Sequence, residues 1–306
     1  MKLATSTGDF GRICKTEEEK IFELHHAGFR YIDMSFYTAN KPDSFLMRDD
    51  WRDYMKKLRY FADSLGMKFV QSHAPGGNPL RRDENFDLLI ESTIRTIEAC
   101  SILGIETTVF HTGVEKGISK EDYFKKNLEV IELFFPAMEK FGVNLLVENS
   151  TKVNMGGEYF FYTGEEMREF CEYSKNPLVG ACWDTGHANI ENHQYDDIMA
   201  MGDCLRAIHF NDNRGERDEH VAPYCGTMAL DDIMCGLIDS GYKGYFTLEC
   251  ESTLRPGNCW TGKRRTSPHG DRLYEMPNSL NIFRKHEEML YEIAKYILEG
   301  YDLFEE

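Results

Sequence analysis

Eight short apolar, β-rich runs of four to six residues recur along this 306-residue chain, and they alternate with longer segments of helical period. Alternation sustained over a whole chain specifies repeated βα units around a parallel sheet. The strands are expected at 2–6, 31–35, 68–72, 107–110, 144–147, 179–184, 204–208 and 245–248. Eight helical segments are counted between and after them, with ranges at 16–27, 49–65, 83–103, 120–141, 165–174, 230–239 and 279–298. Thr16, with Glu19 three residues on, has the pattern of a reciprocal N-terminal cap, and Gly28, Gly66, Gly104, Gly142 and Gly241 stand where helices should stop.

Eight such units close on themselves, so the expected fold is α/β, a single (β/α)8 TIM barrel. The whole of 1–306 is expected to form one domain, with a long loop at about 250–278. Alpha/beta barrels commonly use this much chain for one domain, and no low-complexity stretch suggests a second.

Hydrophobic residues at 42% and charged residues at 28% suit a soluble enzyme. No run approaches the roughly 20 apolar residues that cross a bilayer, and Met1-Lys2-Leu3 leads into a strand instead of a signal-peptide core. No membrane association and a cytoplasmic location are therefore expected. A net charge of -17 repels polyanions, which argues against a nucleic-acid partner while leaving a small anionic substrate open. The nine cysteines are odd in number and form no CxxC pair; Cys182, Cys204 and Cys250 lie in or beside strand-like runs, so the set reads as reduced core thiols.

Position carries the functional signal. His73, His111, Glu148, Asp184, His209 and Glu249 stand at the C-terminal ends of strands three to eight, and in a closed barrel those ends ring one mouth, where barrel active sites are built. His187, one turn beyond Asp184, and the pair Asp218 and His220 after strand seven lie just outside the ring. One histidine at a strand end more often caps a backbone group than binds a metal; six converging residues are another matter. Glu148 follows LLV and Glu249 follows FTL, and carboxylates emerging from buried strands need a compensating cation. Imidazole nitrogens mixed with carboxylate oxygens suit a divalent transition metal better than calcium or magnesium.

The motifs SHAP at 72–75, FHTG at 110–113, VENS at 147–150, DTGH at 184–187 and HFNDNRGERDEH at 209–220 give the chain its resemblance to the xylose isomerase-like barrel superfamily. That superfamily includes sugar isomerases and epimerases as well as endonuclease IV-like nucleases. The resemblance implies an isomerase or epimerase acting on a sugar or sugar phosphate through metal-assisted proton transfer next to a carbonyl. By resemblance to ketose 3-epimerases, Glu148, Asp184, His209 and Glu249 would hold one manganese-type ion or zinc, with Glu148 and Glu249 as the catalytic pair. His73, His111 and His187 would touch substrate, and Arg214 or Arg217 would face a developing enediolate. Those epimerases carry a further glutamate shortly after the strand-five ligand, and NSTKVN at 149–154 has none, so the expectation stays with proton transfer on a polyol or keto sugar in general.

The nuclease relatives imply instead three zinc ions held by nine residues: His73, His111, Glu148, Asp184, His187, His209, Asp218, His220 and Glu249. A metal-dependent lyase acting on a sugar derivative is a further alternative. Against DNA, the loop after His73, APGGNPLRRD, has no aromatic wedge and only a small basic patch. The expected partner is thus a small sugar substrate, and self-association into a homo-oligomer is implied by the resemblance alone. The connection at 250–278 carries Arg255, Trp260, Lys263, Arg264, Arg265 and Arg272 and is expected either to close over a polar substrate or to remain a solvated or subunit-contacting loop.

Overall fold

Thr16 and Glu19 form the expected reciprocal cap: the Glu19 N–H donates to Thr16 Oγ1 at 3.2 Å and the Thr16 N–H to Glu19 Oε2 at 3.3 Å. They open the first helix, α1 (Glu17–Ala27), and Gly28 ends it at φ 109°, a left-handed conformation that favours glycine. The computed structural model describes residues 1–156, 159–191, 194–254 and 277–306. Within the connection expected at 250–278, residues 255–276, and with them all six of its named arginine, lysine and tryptophan side chains, lie outside the described residues.

The strands are β1 (Leu3–Ser6), β2 (Tyr31–Ser35), β3 (Lys68–His73), β4 (Thr107–Phe110), β5 (Asn144–Glu148), β6 (Val179–Asp184), β7 (Leu205–His209) and β8 (Phe246–Leu248). All pair in parallel, in the order β7-β6-β5-β4-β3-β2-β1-β8. Phe210 links the two outer strands: it bridges to Leu248, its N–H donates to Thr247 O at 2.7 Å, and its carbonyl accepts from Glu249 N at 3.2 Å. The chain is a (β/α)8 TIM barrel, as its alternation requires.

The remaining helices are α2 (Trp51–Ser64), α3 (Phe86–Leu103), α4 (Lys120–Ile131), α5 (Phe135–Phe141), α6 (Lys152–Met155), α7 (Gly164–Ser174), α8 (Thr185–Glu191), α9 (Tyr195–Met201), α10 (Leu230–Asp239) and α11 (Ser279–Gly300). Two departures from expectation have local causes. The helix expected at 120–141 is two helices joined by a 3-10 turn, because Pro136 has no N–H to give and its ring clashes with the carbonyl one turn back. After β6 the chain makes two short helices, α8 and α9, for which the apolar pattern gave no range.

Outward-facing strand residues pack against the helices in one large core that includes Trp51, Phe110, Phe134 and Trp183. Inside the barrel, Val109, Leu146, Cys182 and Ala207 form a separate small apolar cluster, contributed by β4 to β7. The eight described cysteines are free; Cys100, Cys182 and Cys250 are buried, but Cys225 and Cys235 are exposed, on a loop and on the outer face of α10, so those two are not core thiols. Among the described residues, no helix is long and apolar enough to cross a membrane.

Thr16→Ala removes one half of the cap and should lower stability by about 1 kcal/mol in urea denaturation. No measurable change would mean that the box contributes nothing to holding α1.

Candidate metal centre

Each side chain expected at the mouth is delivered by a strand end. His73, Glu148, Asp184 and His209 are the last residues of β3, β5, β6 and β7, and His111 and Glu249 follow β4 and β8 directly. His187 lies in α8, and Asp218 and His220 lie in the loop after β7. The fold brings all nine together.

Glu148, with about 1% of its surface exposed, links two parts of the centre. Its Oε2 lies 2.5 Å from His111 Nε2 and 3.5 Å from His73 Nε2, and the two imidazole nitrogens are 3.2 Å apart. Its Oε1 lies 2.5 Å from His209 Nδ1, which is also 3.3 Å from Glu249 Oε2. A third group surrounds Asp218, whose Oδ2 is 3.1 Å from His187 Nε2 and whose Oδ1 is 2.9 Å from His220 Nε2. Two ligands on one tetrahedral zinc, at bond lengths near 2.0–2.1 Å, sit about 3.3 Å apart. Most of these separations are close to that edge, and the donors are nitrogens and carboxylate oxygens, so the residues fit a divalent transition metal.

Among the described residues, four groups of donors have ligand atoms within 4.8 Å of one another: His73, His111 and Glu148; Glu148, Cys182 and His209; Asp184, His187 and His220; and Glu148, Asp184, His209 and Glu249. Cys182, read from sequence as a core thiol, is thus also a neighbour of the centre.

Backbone carbonyls orient three of the histidines. Nδ1 of His73 is 2.7 Å from Ala74 O, Nδ1 of His187 is 2.9 Å from Asn149 O, and Nδ1 of His220 is 3.1 Å from Glu249 O. A carbonyl can only accept, so each Nδ1 carries the proton and each Nε2 faces the centre. His209 is turned the other way, with Nδ1 on the carboxylates.

The DTGH motif has a local logic. The Asp184 carboxylate caps the helix that follows it, Oδ1 accepting from His187 N at 2.6 Å, while Oδ2 accepts from Asn211 Nδ2 at 2.7 Å. A Cβ on Gly186 would come within 1.9 Å of Asn211 Oδ1, so only glycine lets α8 pass this close to the loop after β7. Asn149 joins neighbouring strand ends: its Nδ2 donates to Asp184 O at 2.9 Å and its Oδ1 accepts from Asp184 N at 2.6 Å. Tyr159 donates to the Glu148 carbonyl at 3.2 Å.

Sequence reading missed the roles of Asn149 and Asn211, although both stand inside quoted motifs. It also missed Asn154, which donates to Asp218 Oδ2 at 2.9 Å, and Tyr37, whose ring packs edge-on against His73 and His111 with centroids 5.3 and 6.0 Å away. Nothing in the residue types around Tyr37 signals that contact. Arg214 is paired with the buried Glu219 at 2.9 Å, and Arg217 is exposed.

The side chains of the centre shift one another's proton affinities. Burial opposes ionisation of Glu148, yet His209 and His111 hold it well below the usual range. Burial equally opposes a charge on His187, but Asp184 and Asp218 outweigh it and push the imidazole up to about 10. Burial pushes Glu249 up to about 7 against the pull of His209 and His220.

A family model described as xylose isomerase-like TIM barrel matches residues 21–267. The uncharacterized protein y4fM of Sinorhizobium fredii is 27% identical over 253 residues, 72% of this chain and 76% of that protein. A probable endonuclease 4 of Aquifex aeolicus is 23% identical over 232 residues, 67% of this chain and 77% of that one. Among solved structures, a D-psicose 3-epimerase in the presence of D-fructose superposes with a TM-score of 0.71 at 16% identity, covering 97% of this chain and 99% of the other. The IOLI protein with a zinc atom superposes at 0.68 with 18% identity, over 97% and 99% of the two chains. At these identities the structural likeness establishes the fold.

Two outcomes follow from the geometry. Glu148→Gln should lower the metal content found by elemental analysis of the purified protein, and a normal metal content would remove Glu148 from the site. In chelated protein the His187 imidazolium contributes stability that is complete below pH 6.5 and is lost as pH rises through about 10. Denaturation across that window should therefore show falling stability for the wild type and a flatter profile for His187→Gln.

Proposed function

Because the chain belongs to the xylose isomerase-like TIM barrel family, we propose that it is a divalent-metal-dependent isomerase or epimerase of a small sugar or sugar phosphate. The observation that carries this reading is the convergence of Glu148, Asp184, His209 and Glu249, from the ends of four consecutive strands, into one donor set. Those four residues would hold a manganese-type ion or zinc. When bound, such an ion polarises a substrate carbonyl and its neighbouring hydroxyl and so acidifies the C–H between them.

The chain supplies the proton traffic. Glu148 and Glu249 both lie within 3.3 Å of the same His209 nitrogen. Two carboxylates at one centre provide one group to take a proton and one to return it. His73, His111 and His187 would bind substrate oxygens in this one-metal arrangement. Arg214, paired with Glu219, or Arg217, exposed in the loop that carries Asp218, would meet a developing enediolate. Sugar epimerases among the structural neighbours support the substrate class. A cytoplasmic location belongs to the same proposal.

A second reading has its own observation. The groups His73–His111–Glu148 and His187–Asp218–His220 flank the central set on either side, which supports three zinc ions and phosphodiester cleavage like that of the probable endonuclease 4 relative.

Metal count and reaction separate the two. One tightly held ion per chain, with solvent deuterium entering a ketose during turnover, is the expected result. Three zinc ions with incision of abasic DNA would establish the nuclease reading instead, and elimination of water from a sugar derivative would make the protein a lyase. His220→Ala should lower isomerase turnover by no more than about 10–100-fold, the loss that follows removal of groups outside the metal's own ligands. A near-complete loss would place His220 among essential ligands.

A further inference from the structure

His209 differs from its neighbours at one atom. The outer nitrogens of His73, His187 and His220 each meet a backbone carbonyl, but Nε2 of His209 is fully buried and meets no carbonyl, carboxylate or amide, with the Cys182 thiol as the polar neighbour of the ring. A histidine that binds a metal through one nitrogen usually donates the other N–H to a carboxylate, a carbonyl or a water, which fixes the tautomer and the ring.

The barrel interior beneath His209 is divided. Register pairs Ser6 with Asp33 and Asp33 with Gln71, and Ala4 with Thr247, so these side chains share the inner face of β1, β2, β3 and β8. The opposite half of the interior, from β4 to β7, is the apolar cluster of Val109, Leu146, Cys182 and Ala207. Asp33 has no solvent exposure, and neither carboxylate oxygen has a partner at good hydrogen-bonding geometry, the Ser6 hydroxyl being its neighbouring donor. Gln71 accepts from Thr247 Oγ1 at 3.3 Å, which leaves its Nε2, also buried and unpartnered. Two acceptor oxygens of Asp33 and two nitrogens, Gln71 Nε2 and His209 Nε2, are thus buried polar atoms with unmet hydrogen-bonding capacity, a costly condition for any buried polar group. Burial raises the Asp33 carboxyl, and among the surrounding charges His209 counters that most strongly, ahead of His73.

We propose that Asp33 is a positioning residue for His209, accepting through a buried water the proton of His209 Nε2–H, with Gln71 donating to the same water or carboxylate. This arrangement holds the neutral imidazole with Nδ1 unprotonated and aimed at the metal between Glu148 and Glu249. Asp33 acts through His209 and touches neither metal nor substrate.

This rests on the metal-centre reading, and the test keeps the two apart. Manganese and zinc affinities are measured by competition with a chelator for wild type, Asp33→Asn and Cys182→Ala, alongside thermal unfolding of each protein stripped of metal. The expected result is an affinity about 10–100-fold weaker for Asp33→Asn, with metal-free stability equal to or above that of the wild type, because an unpaired buried carboxylate has been removed. Histidine side-chain 15N spectra of the zinc-loaded proteins should also show the His209 Nε2–H resonance shifted in Asp33→Asn. Unchanged affinity in Asp33→Asn, or a loss matched by an equal loss of metal-free stability, would overturn the proposal. So would a loss confined to Cys182→Ala, which would assign Nε2 to the thiol. Wild-type protein that binds neither metal would overturn the metal centre itself.

Discussion

A carboxylate buried as deeply as that of Glu148 costs several kcal/mol unless each oxygen finds a partner, and here the two oxygens look toward different histidines. One faces His111 and His73 from β3 and β4; the other faces His209 from β7. The barrel supplies the constraint that makes this attainable, because only parallel strands with a common C-terminal rim can deliver four imidazoles and carboxylates to one point. Around it the strand ends are tied sideways by Asn149 and from outside by Tyr159. Without its donors the centre would be a set of uncompensated charges; with protons or metal it is a closed electrostatic unit.

Protons and metal are alternative ways of compensating the same four carboxylates, Glu148, Asp184, Asp218 and Glu249. In the metal-free chain the positive charge comes from raised histidines such as His187 and His220. A bound cation would displace those protons, so occupancy and pH are linked through the ligands themselves. The Glu249 proton equilibrium near neutrality is part of the same balance, since burial raises it and the neighbouring imidazoles lower it.

The barrel and its ligand ring were legible because both depend on simple order along the chain. A parallel strand buried on both faces reads as an apolar run, and a charged residue that ends such a run marks the rim; His73, Glu148, Asp184 and His209 all follow that rule. Other features left no such trace. Asp184 serves at once as strand end, ligand candidate and cap of α8, so the helix after it begins without a separate signal. Helical periodicity runs on through Pro136, although the proline ends one helix and starts another. Asn149 and Asn211 have no periodicity, and their roles exist only through contacts between strands. Asp33 sits within YIDMS, where a sequence does not reveal which face of the strand turns inward.

The central claim is that Glu148, Asp184, His209 and Glu249 hold a transition metal, and anomalous scattering tests it most directly. Crystals grown with manganese or zinc should give an anomalous peak about 2.0–2.2 Å from donor atoms of these four residues. Peaks at the two flanking groups as well would report how many ions the mouth accepts. A fully described, metal-soaked crystal with no peak within reach of Glu148 would contradict the account.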